Sequence, residues 1–236
     1  MRRSDFAHHE GVFITIEGID GCGKTTHAEL LARWLGERGE PVLRTREPGG
    51  TALGEKLRKV VLTPGNAIEP MAELLLYLAD RAQHVTEVLR PALAAGQVVV
   101  CERYADSTLA YQSYGRGLDL ATLRRLNDFS TGGLAPDLTL LLEVDPAEAL
   151  RRITRGAGAT SAEGNRERSR MRRRDRLELE QPGFHESVAA GFRALAAQEP
   201  ERFRVIETSG EMASVQREIE LAVEGLLDKR RSEGSK

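Results

Sequence analysis

The sequence has few cysteines, no long apolar run and no excess of charge of one sign. Only two of its 236 residues are cysteine, Cys22 and Cys101, and their wide separation excludes a disulfide framework and favours a reducing compartment. No segment reaches the roughly 18 apolar residues that a membrane-spanning helix needs. A net charge of −2 argues against a protein that binds nucleic acid or membranes through its overall charge, although local patches remain possible. We therefore expect a soluble, cytoplasmic protein.

The length favours a single domain. A chain of 236 residues can form one α/β domain with a sizeable core but is too short for two comfortable ones. We expect a disordered N-terminal leader over residues 1–11, one domain over 12–227 and a polar tail over 228–236. The leader carries positive charge with no apolar core behind it, so it does not resemble a signal peptide.

A phosphate-binding loop is the clearest motif. Residues 18–25 fit the pattern G-x-x-x-x-G-K-[ST] without a mismatch, between a predicted strand over 12–16 and a helical pattern over 26–35. In such a loop the backbone N–H groups surround phosphates, Lys24 reaches the outer phosphates, and the Thr25 hydroxyl can ligate Mg²⁺. The motif predicts a nucleoside triphosphate site but does not identify the reaction.

Strands alternate with helices along the rest of the chain. After the first strand, extended runs are predicted over 41–45, 97–101, 138–144 and 203–206. This alternation predicts a parallel β-sheet flanked by helices on both faces. A short helix places Leu53, Leu57 and Val60 on one face. A long helix over 70–95 has a predicted core stripe of Leu74, Leu75, Leu78, Val85, Val88 and Leu89.

Charged residues follow two of these strands, where open α/β sheets bind their ligands. Arg46 follows the second strand, and Glu102 and Arg103 follow the third. A carboxylate at Glu102 can hold water on Mg²⁺, and the two arginines can bind phosphate. A Glu-Arg pair at a strand end is more often a surface ion pair. The upstream phosphate-binding loop favours the ligand-binding interpretation.

Two residue pairs have helical spacing. Tyr77 and Arg81 are four residues apart, so they share a helix face and can present a ring and a planar donor to one flat ligand. The alternative is a surface tyrosine that covers the aliphatic part of the arginine. Ser107 and Tyr111 have the same spacing if a helix begins near Asp106.

An arginine-rich segment interrupts the pattern over residues 156–174. It starts with glycine, alanine and serine and then contains six arginines, a composition that is normally solvated and mobile. Beside a phosphate site it could close over the nucleotide and place a guanidinium on the transferring group. The alternative is an NTPase that binds nucleic acid through this segment. Because the run has no interleaved aromatics for base stacking, we expect no nucleic-acid partner.

Several motifs stand in one order and resemble a single family. They are residues 17–26, the Arg-Glu-Pro-Gly-Gly-Thr loop at 46–51, Tyr77 with 80–81, 102–104 with Ser107 and Tyr111, and 175–178. Together they closely resemble the thymidylate kinases, P-loop enzymes that transfer the γ-phosphoryl of ATP to dTMP. The similarity runs from about residue 12 to residue 227. It implies a P-loop NTPase fold with a mobile lid over about 155–178, a homodimer and a role in dTTP synthesis.

The resemblance also implies ligands for each residue. The ATP-binding residues would be Gly18, Ile19, Asp20, Gly21, Cys22, Gly23, Lys24 and Thr25. Mg²⁺ would be bound at Thr25 and Glu102. The dTMP-binding residues would be Asp20, Arg46, Tyr77, Arg81, Arg103, Ser107 and Tyr111.

Within the dTMP set the resemblance implies distinct contacts. Asp20 would accept from the sugar 3′-hydroxyl. Tyr77 would stack on thymine while Arg81 contacts its carbonyl edge. Tyr111 would pack under C2′, where the added hydroxyl of a ribonucleotide would clash or lack a partner.

The catalytic cations would be Lys24, Arg103 and an arginine of the lid, because the variable positions of the loop contain no arginine. Arg155 and Arg176 flank the lid and are the candidates, with Arg174 left open because the basic stretch looks like an insertion.

The sequence departs from the family pattern at two site positions as well. Glu102 replaces the usual Asp, so its carboxylate reaches one methylene further. Tyr77 replaces the common Phe and adds a hydroxyl that needs a partner. A kinase for a nucleoside or another nucleotide is the nearest rival. Arg46 and Arg103 favour an acceptor that already carries a phosphate.

Overall fold

A five-stranded parallel sheet forms the centre of the computed structural model, which describes residues 10–158 and 174–234. The strand order is β2-β3-β1-β4-β5, and every neighbouring pair is parallel. The strands are β1 (Val12–Glu17), β2 (Val42–Arg46), β3 (Val98–Glu102), β4 (Leu138–Glu143) and β5 (Phe203–Glu207). All six residues of β1 are buried, as expected for a central strand with both faces covered. The predicted fold class is confirmed.

Helices connect the strands. They are α1 (Lys24–Glu37), α2 (Ala52–Leu62), α3 (Pro70–His84), α4 (Arg90–Ala94), α5 (Ala105–Thr108), α6 (Leu120–Thr131), α7 (Pro146–Gly158), α8 (Pro182–Gln198) and α9 (Met212–Gly234). A π-helical segment, π1 (Val85–Leu89), joins α3 to α4, and a second, π2 (Leu109–Gly115), continues α5. Segments of this kind often occur at functional sites.

The core is divided by the sheet. Along β1 the side chains alternate, so Ile14 and Ile16 belong to one buried cluster and Phe13 belongs to another on the opposite face. The larger cluster includes apolar residues of α1, α8 and α9, and the smaller one includes Val85 and Leu89 of π1. Both faces of the sheet are therefore covered, which leaves its edges and strand ends for ligands.

The predicted core stripe of the long helix is wrong at Leu75. This side chain is 54% exposed, whereas Leu74 and Leu78 are buried. Leu53 and Val60 of α2 do share a face, but that face is also exposed, at 43% and 45%. Helical periodicity identifies an apolar face without showing what covers it.

The described part of the polar C-terminal segment is helical. Helix α9 continues past Asp228 to Gly234. Arg230 donates hydrogen bonds of 2.6 Å to Gly11 O and to Asp137 Oδ1, which attaches the end of the helix to the start of β1. Residues 1–9 of the predicted leader lie outside the described residues. Within the part of the chain that is described, no helix is long and apolar enough to cross a membrane.

Candidate active site

Three strand ends meet at one edge of the sheet. The register places Glu102 of β3 beside Ile16 of β1 and Arg46 of β2. Beyond these ends the structure has a cavity of about 650 Å³. Its walls include Asp20, Gly21, Gly23, Lys24, Thr25, Arg46, Tyr77, Arg81, Glu102, Arg103, Ser107 and Tyr111. All the residues predicted to bind dTMP and Mg²⁺ therefore line this cavity.

The phosphate-binding loop has the backbone shape that its glycines permit. Gly21 and Gly23 have φ angles of +83° and +99°, and a Cβ on Gly21 would lie 2.4 Å from Ala149 O. Helix α1 begins at Lys24 with no side-chain cap, so the N–H groups of its first turn can bind an anion. Lys24 Nζ donates to Gly18 O at 3.0 Å and to Ile19 O at 2.7 Å.

Two loop residues are buried. Ile19 is 4% exposed and Cys22 is fully buried, so their side chains pack into the core beneath the loop. Their contribution to a nucleotide site is through the backbone. Cys22 and Cys101 are both free thiols, in agreement with the predicted absence of a disulfide framework.

The two predicted Mg²⁺ ligands are in contact. Thr25 Oγ1 donates a hydrogen bond of 2.7 Å to Glu102 Oε2. Mg²⁺ in proteins is commonly bound by one or two carboxylates together with substrate phosphates and waters. The described residues contain no group of three or more His, Cys, Asp or Glu that could hold a metal alone. The pair fits Mg²⁺ that is shared with a nucleotide.

Arg103 lines the cavity and contacts several of its other residues. Its φ angle is +65°, in the left-handed region that is unusual for a residue with a side chain. Nη2 donates to Asp20 Oδ1 at 2.5 Å and to Tyr111 Oη at 3.1 Å. Nη1 donates to Gly18 O and to Ser107 Oγ, both at 3.1 Å. One guanidinium therefore joins the phosphate-binding loop to three predicted dTMP ligands.

Glu17 holds the turn that contains Arg103. This fully buried carboxylate accepts from Tyr104 N at 2.7 Å, and from Ser107 N at 3.3 Å and Ser107 Oγ at 2.6 Å. Burial, together with the nearby charge of Asp106, raises the pKa of Glu17 to about 7. The sequence places Glu17 in the family motif but does not indicate this supporting role.

Asp20 is ionised at neutral pH. Burial alone would raise its pKa, but the charges of Arg103 and Lys24 and the hydrogen bonds of Tyr111 and Arg103 hold it well below the ordinary value. Tyr111 Oη donates to Asp20 Oδ2 at 2.9 Å. A carboxylate has about four lone-pair directions, so Asp20 can still accept from a ligand hydroxyl.

Arg81 is buried, which excludes the alternative of a surface tyrosine over an exposed arginine. Its side chain is 2% exposed, and Tyr77 beside it is half-buried and lines the cavity. Four N–H groups of Arg81 donate to Glu47 Oε2, Thr108 Oγ1, Asn127 Oδ1 and Tyr104 O. A guanidinium has five N–H donors, so one Nη2 hydrogen remains for a ligand.

Arg58, a cavity arginine besides Arg46, Arg81 and Arg103, was missed by sequence reasoning. Arg58 of α2 lines the cavity and donates to Pro48 O at 2.9 Å. Burial and the charges of Arg46 and Arg103 lower the pKa of Arg58, because the three cations face one region. Arg46 is half-exposed and pairs with Glu55 at 3.0 Å. An arginine within a helix is usually exposed to solvent, so the sequence did not indicate that Arg58 would line the cavity.

Other cavity residues were also missed. They are Gln112, Arg152, Asp175 and Glu178. Arg152 of α7 donates to Glu148 Oε1 at 3.1 Å and to Thr208 O at 2.8 Å. The motif at 175–178 was part of the family resemblance, but the sequence did not show that Asp175 and Glu178 face the cavity.

Arg155, Arg174 and Arg176, the three candidate catalytic arginines of the lid, are not among the described residues that line the cavity. Arg176 donates to Val61 O at 2.8 Å and to Glu73 Oε2, so its guanidinium is already paired. Arg174 donates to Glu178 O, and Arg155 is exposed near the end of α7. Residues 159–173, most of the arginine-rich segment, lie outside the described residues.

Comparison with known proteins identifies the family. The family model described as thymidylate kinase matches residues 16–219. The chain belongs to the thymidylate kinase family. A thymidylate kinase from Solidesulfovibrio magneticus is 52% identical over 202 residues, which cover 84% of this chain and 91% of the relative. One from Gloeobacter violaceus is 47% identical over 221 residues, covering 94% and 98% of the two chains.

A solved structure also matches. The crystal structure of a thymidylate kinase from Ehrlichia chaffeensis superposes with a TM-score of 0.70 at 32% identity, covering 90% of this chain and 98% of the other. The similarity therefore extends over most of the fold. The resemblance seen in the sequence motifs is confirmed at the level of the family.

Proposed function

We propose that the chain transfers the γ-phosphoryl group of ATP to dTMP, giving ADP and dTDP for dTTP synthesis. The observation that carries the proposal is the position of Arg103. Its Nη1 lies 3.1 Å from Gly18 O of the phosphate-binding loop, while its Nη2 contacts Asp20 and Tyr111. A monophosphate bound at this guanidinium would lie next to a triphosphate in the loop.

The donor side is formed by the loop and its surroundings. Lys24 and the uncapped first turn of α1 attract the β- and γ-phosphates of ATP. Thr25 and Glu102 would hold Mg²⁺, which when bound supplies positive charge that neutralises phosphate oxygens. Positioning and electrostatics then account for the catalysis, because phosphoryl transfer needs little covalent participation by the protein.

The acceptor side supplies the remaining cations. Arg46, Arg58 and Arg103 converge on one region of the cavity and offset the repulsion between two anionic phosphates. Of the lid arginines, we propose Arg155 as the catalytic group. Arg176 is already paired with Glu73, whereas α7 leads from Arg155 directly into the arginine-rich segment.

Base and sugar are recognised by separate groups. Tyr77 would stack on thymine, and the remaining Nη2 hydrogen of Arg81 would donate to a ring carbonyl. Asp20 would accept from the 3′-hydroxyl, with Ser107 as a further polar contact. Tyr111 is held edge-on by Phe184 and Phe192, at centroid distances of 6.1 and 6.2 Å, so it cannot easily make room for a 2′-hydroxyl.

We further propose a homodimer formed through α2, α3 and α6. Helix α3 packs against both α2 and α6. These helices carry several exposed apolar side chains: Leu53, Val60, Met71, Leu75 and Phe129. A surface of this kind is typical of a protein interface. We place the enzyme in the cytoplasm, where dTMP and ATP are present and free thiols persist.

The proposal is tested by a panel of acceptors in an ADP-release assay with ATP and Mg²⁺. We expect dTMP to be the best substrate, with thymidine and ribonucleoside monophosphates slower by about a hundredfold or more in kcat/KM. Faster turnover of thymidine would instead support a nucleoside kinase. ATP turnover that is stimulated by DNA or RNA and weakened by salt would support a nucleic-acid-binding NTPase.

A further inference from the structure

A buried carboxylate behind the base-binding wall has no role in the mechanism above. Glu73 lies on α3 one turn before Tyr77, and its side chain is 0% exposed. Its Oε1 accepts from Gln112 Nε2 at 2.8 Å and from Arg116 Nε at 3.2 Å. Its Oε2 accepts from Arg116 Nη2 at 3.2 Å and from Arg176 Nη2. Glu73 therefore connects π2 to the C-terminal part of the predicted lid.

Glu73 remains ionised in this position. Burial disfavours its charged form, but the hydrogen bonds from Arg116, Gln112 and Arg176 outweigh burial and lower its pKa. An ionised carboxylate only accepts hydrogen bonds. Of the two ends of the Gln112 amide, only the NH₂ group can face it.

The carbonyl end of Gln112 is consequently directed away from Glu73. The side chain of Gln112 is almost fully buried and lines the cavity, and the described residues offer its Oε1 no hydrogen-bond partner. Arg81 Nη1 donates to Thr108 Oγ1, and Thr108 precedes Gln112 by four residues in the continuous run of α5 and π2. Both Arg81 and Gln112 line the cavity, so its wall presents one donor, Arg81 Nη2, and one acceptor, Gln112 Oε1.

This pair of groups distinguishes pyrimidines. Thymine offers a carbonyl acceptor at C4 next to an N–H donor at N3, which complements Arg81 and Gln112. Cytosine offers an amino donor at C4 next to an acceptor at N3, so both contacts would place like groups together. A Gln112 amide free to turn would present either end and would discriminate less.

We propose that Glu73 is a positioning residue that fixes the Gln112 amide and thereby selects bases with an N–H donor beside a carbonyl over cytosine. Glu73 does not contact the nucleotide and acts through Gln112. The inference rests on the proposed function, because it takes Tyr77 and Arg81 as the base site. Arg116 holds Glu73 in place and is itself paired with Glu180 at 2.7 Å.

The test compares kcat/KM for dTMP and dCMP in Glu73→Gln. A neutral amide at position 73 both donates and accepts, so Gln112 can turn. We expect the dTMP preference to fall about tenfold, mainly through a higher KM for dTMP. Glu180→Gln is the matched control, since it removes the other carboxylate from Arg116 and leaves the contact between Glu73 and Gln112 intact. Its preference should stay within about twofold of the wild type.

A double-mutant cycle separates positioning from a general structural effect. In a Gln112→Leu background, Glu73→Gln should change the dTMP preference no further. An additive effect there, or an unchanged preference in folded Glu73→Gln, overturns the inference. If circular dichroism shows Glu73→Gln to be unfolded, Glu73→Asp serves instead. It keeps the charge but withdraws it from Gln112, and the same fall is expected.

Activity of the wild type distinguishes a failure of the Glu73 inference from a failure of the proposed function. If the wild type phosphorylates dTMP but the Glu73 variants keep its preference, only the inference about Glu73 fails. If the wild type does not phosphorylate dTMP, the proposed function fails first.

Discussion

Thr25 and Glu102, 77 positions apart in the sequence, are joined by a 2.7 Å hydrogen bond from Thr25 Oγ1 to Glu102 Oε2. The contact forms because β1 and β3 are parallel neighbours and end at the same edge of the sheet. It brings the hydroxyl that follows the loop lysine against the carboxylate at the end of β3. The side chain of Glu102 is thus long enough to reach the phosphate-binding loop.

Replacing Glu102 tests the proposed Mg²⁺ site. Glu102→Gln keeps the size of the side chain but removes its charge. We expect kcat to fall about a hundredfold and the Mg²⁺ concentration for half-maximal rate to rise, because one anionic partner of the ion is lost. Rates measured over a Mg²⁺ titration provide the check, with Glu102→Asp as the charge-preserving control. An unchanged Mg²⁺ requirement in Glu102→Gln would remove this residue from the metal site.

Arg103 should determine acceptor binding more than donor binding. Arg103→Ala is expected to lower kcat/KM for dTMP by at least about a hundredfold and to change the KM for ATP far less. Arg103→Lys should rescue little, because a single ammonium cannot replace a planar fork that reaches Gly18, Ser107, Asp20 and Tyr111. Steady-state kinetics with each substrate varied in turn provides the check. Arg33→Ala, an exposed cation of α1, is the control. A folded, fully active Arg103→Ala would contradict the proposed mechanism.

Glu17 should make stability depend on pH. Its pKa is raised from 4.5 to about 7, so the folded state favours its protonated form. The corresponding stability is fully present below pH 4.5 and is lost as pH rises through 7, at most about 3 kcal/mol. Glu17→Gln should flatten the pH dependence of the free energy of unfolding between pH 4.5 and 7.

Denaturant unfolding at several pH values measures this effect. Asp80, whose pKa burial and Glu47 raise to about 6, contributes in the same direction and remains in the variant. The free energy of unfolding of Glu17→Gln should therefore still depend on pH, but less than that of the wild type. An identical pH dependence in the two proteins would show that Glu17 is not protonated on folding.

The exposed apolar face should be buried in a dimer. Leu75→Glu places a charge in the proposed interface and should convert the protein to a monomer in sedimentation velocity, because an unpaired charge in such an interface is costly. Leu221→Glu is the matched control, since Leu221 on α9 is 52% exposed and Leu75 is 54% exposed. A dimeric Leu75→Glu variant, or a monomeric wild type, would rule out this interface.

The sequence was sufficient for features that depend on local pattern. Alternating strands and helices predicted the parallel sheet, and the glycine spacing of residues 18–25 predicted the loop. Because parallel strands end at one edge, the sequence also anticipated that Arg46, Glu102 and Arg103 would lie close together.

Features that depend on contacts between distant segments were not predictable in this way. Arg58 looked like a solvated helix residue. Glu73 contacts Gln112 and Arg176 only because the fold brings α3, π2 and the C-terminal part of the predicted lid together. Leu75 was placed in the core because the helical period does not show whether an apolar face is covered. The pairing of Arg176 with Glu73 was also missed, because the two residues lie 103 positions apart in the sequence.

The most direct test of the central claim is the binding of a single ligand in which dT and adenosine are joined at their 5′ positions by a chain of five phosphates. If one cavity brings the two phosphate groups together, isothermal titration calorimetry should show one ligand per chain and an affinity at least about a hundredfold tighter than that of dTMP or ATP. Both substrates should displace it. An affinity no better than that of one substrate, or displacement by only one of them, would contradict the account.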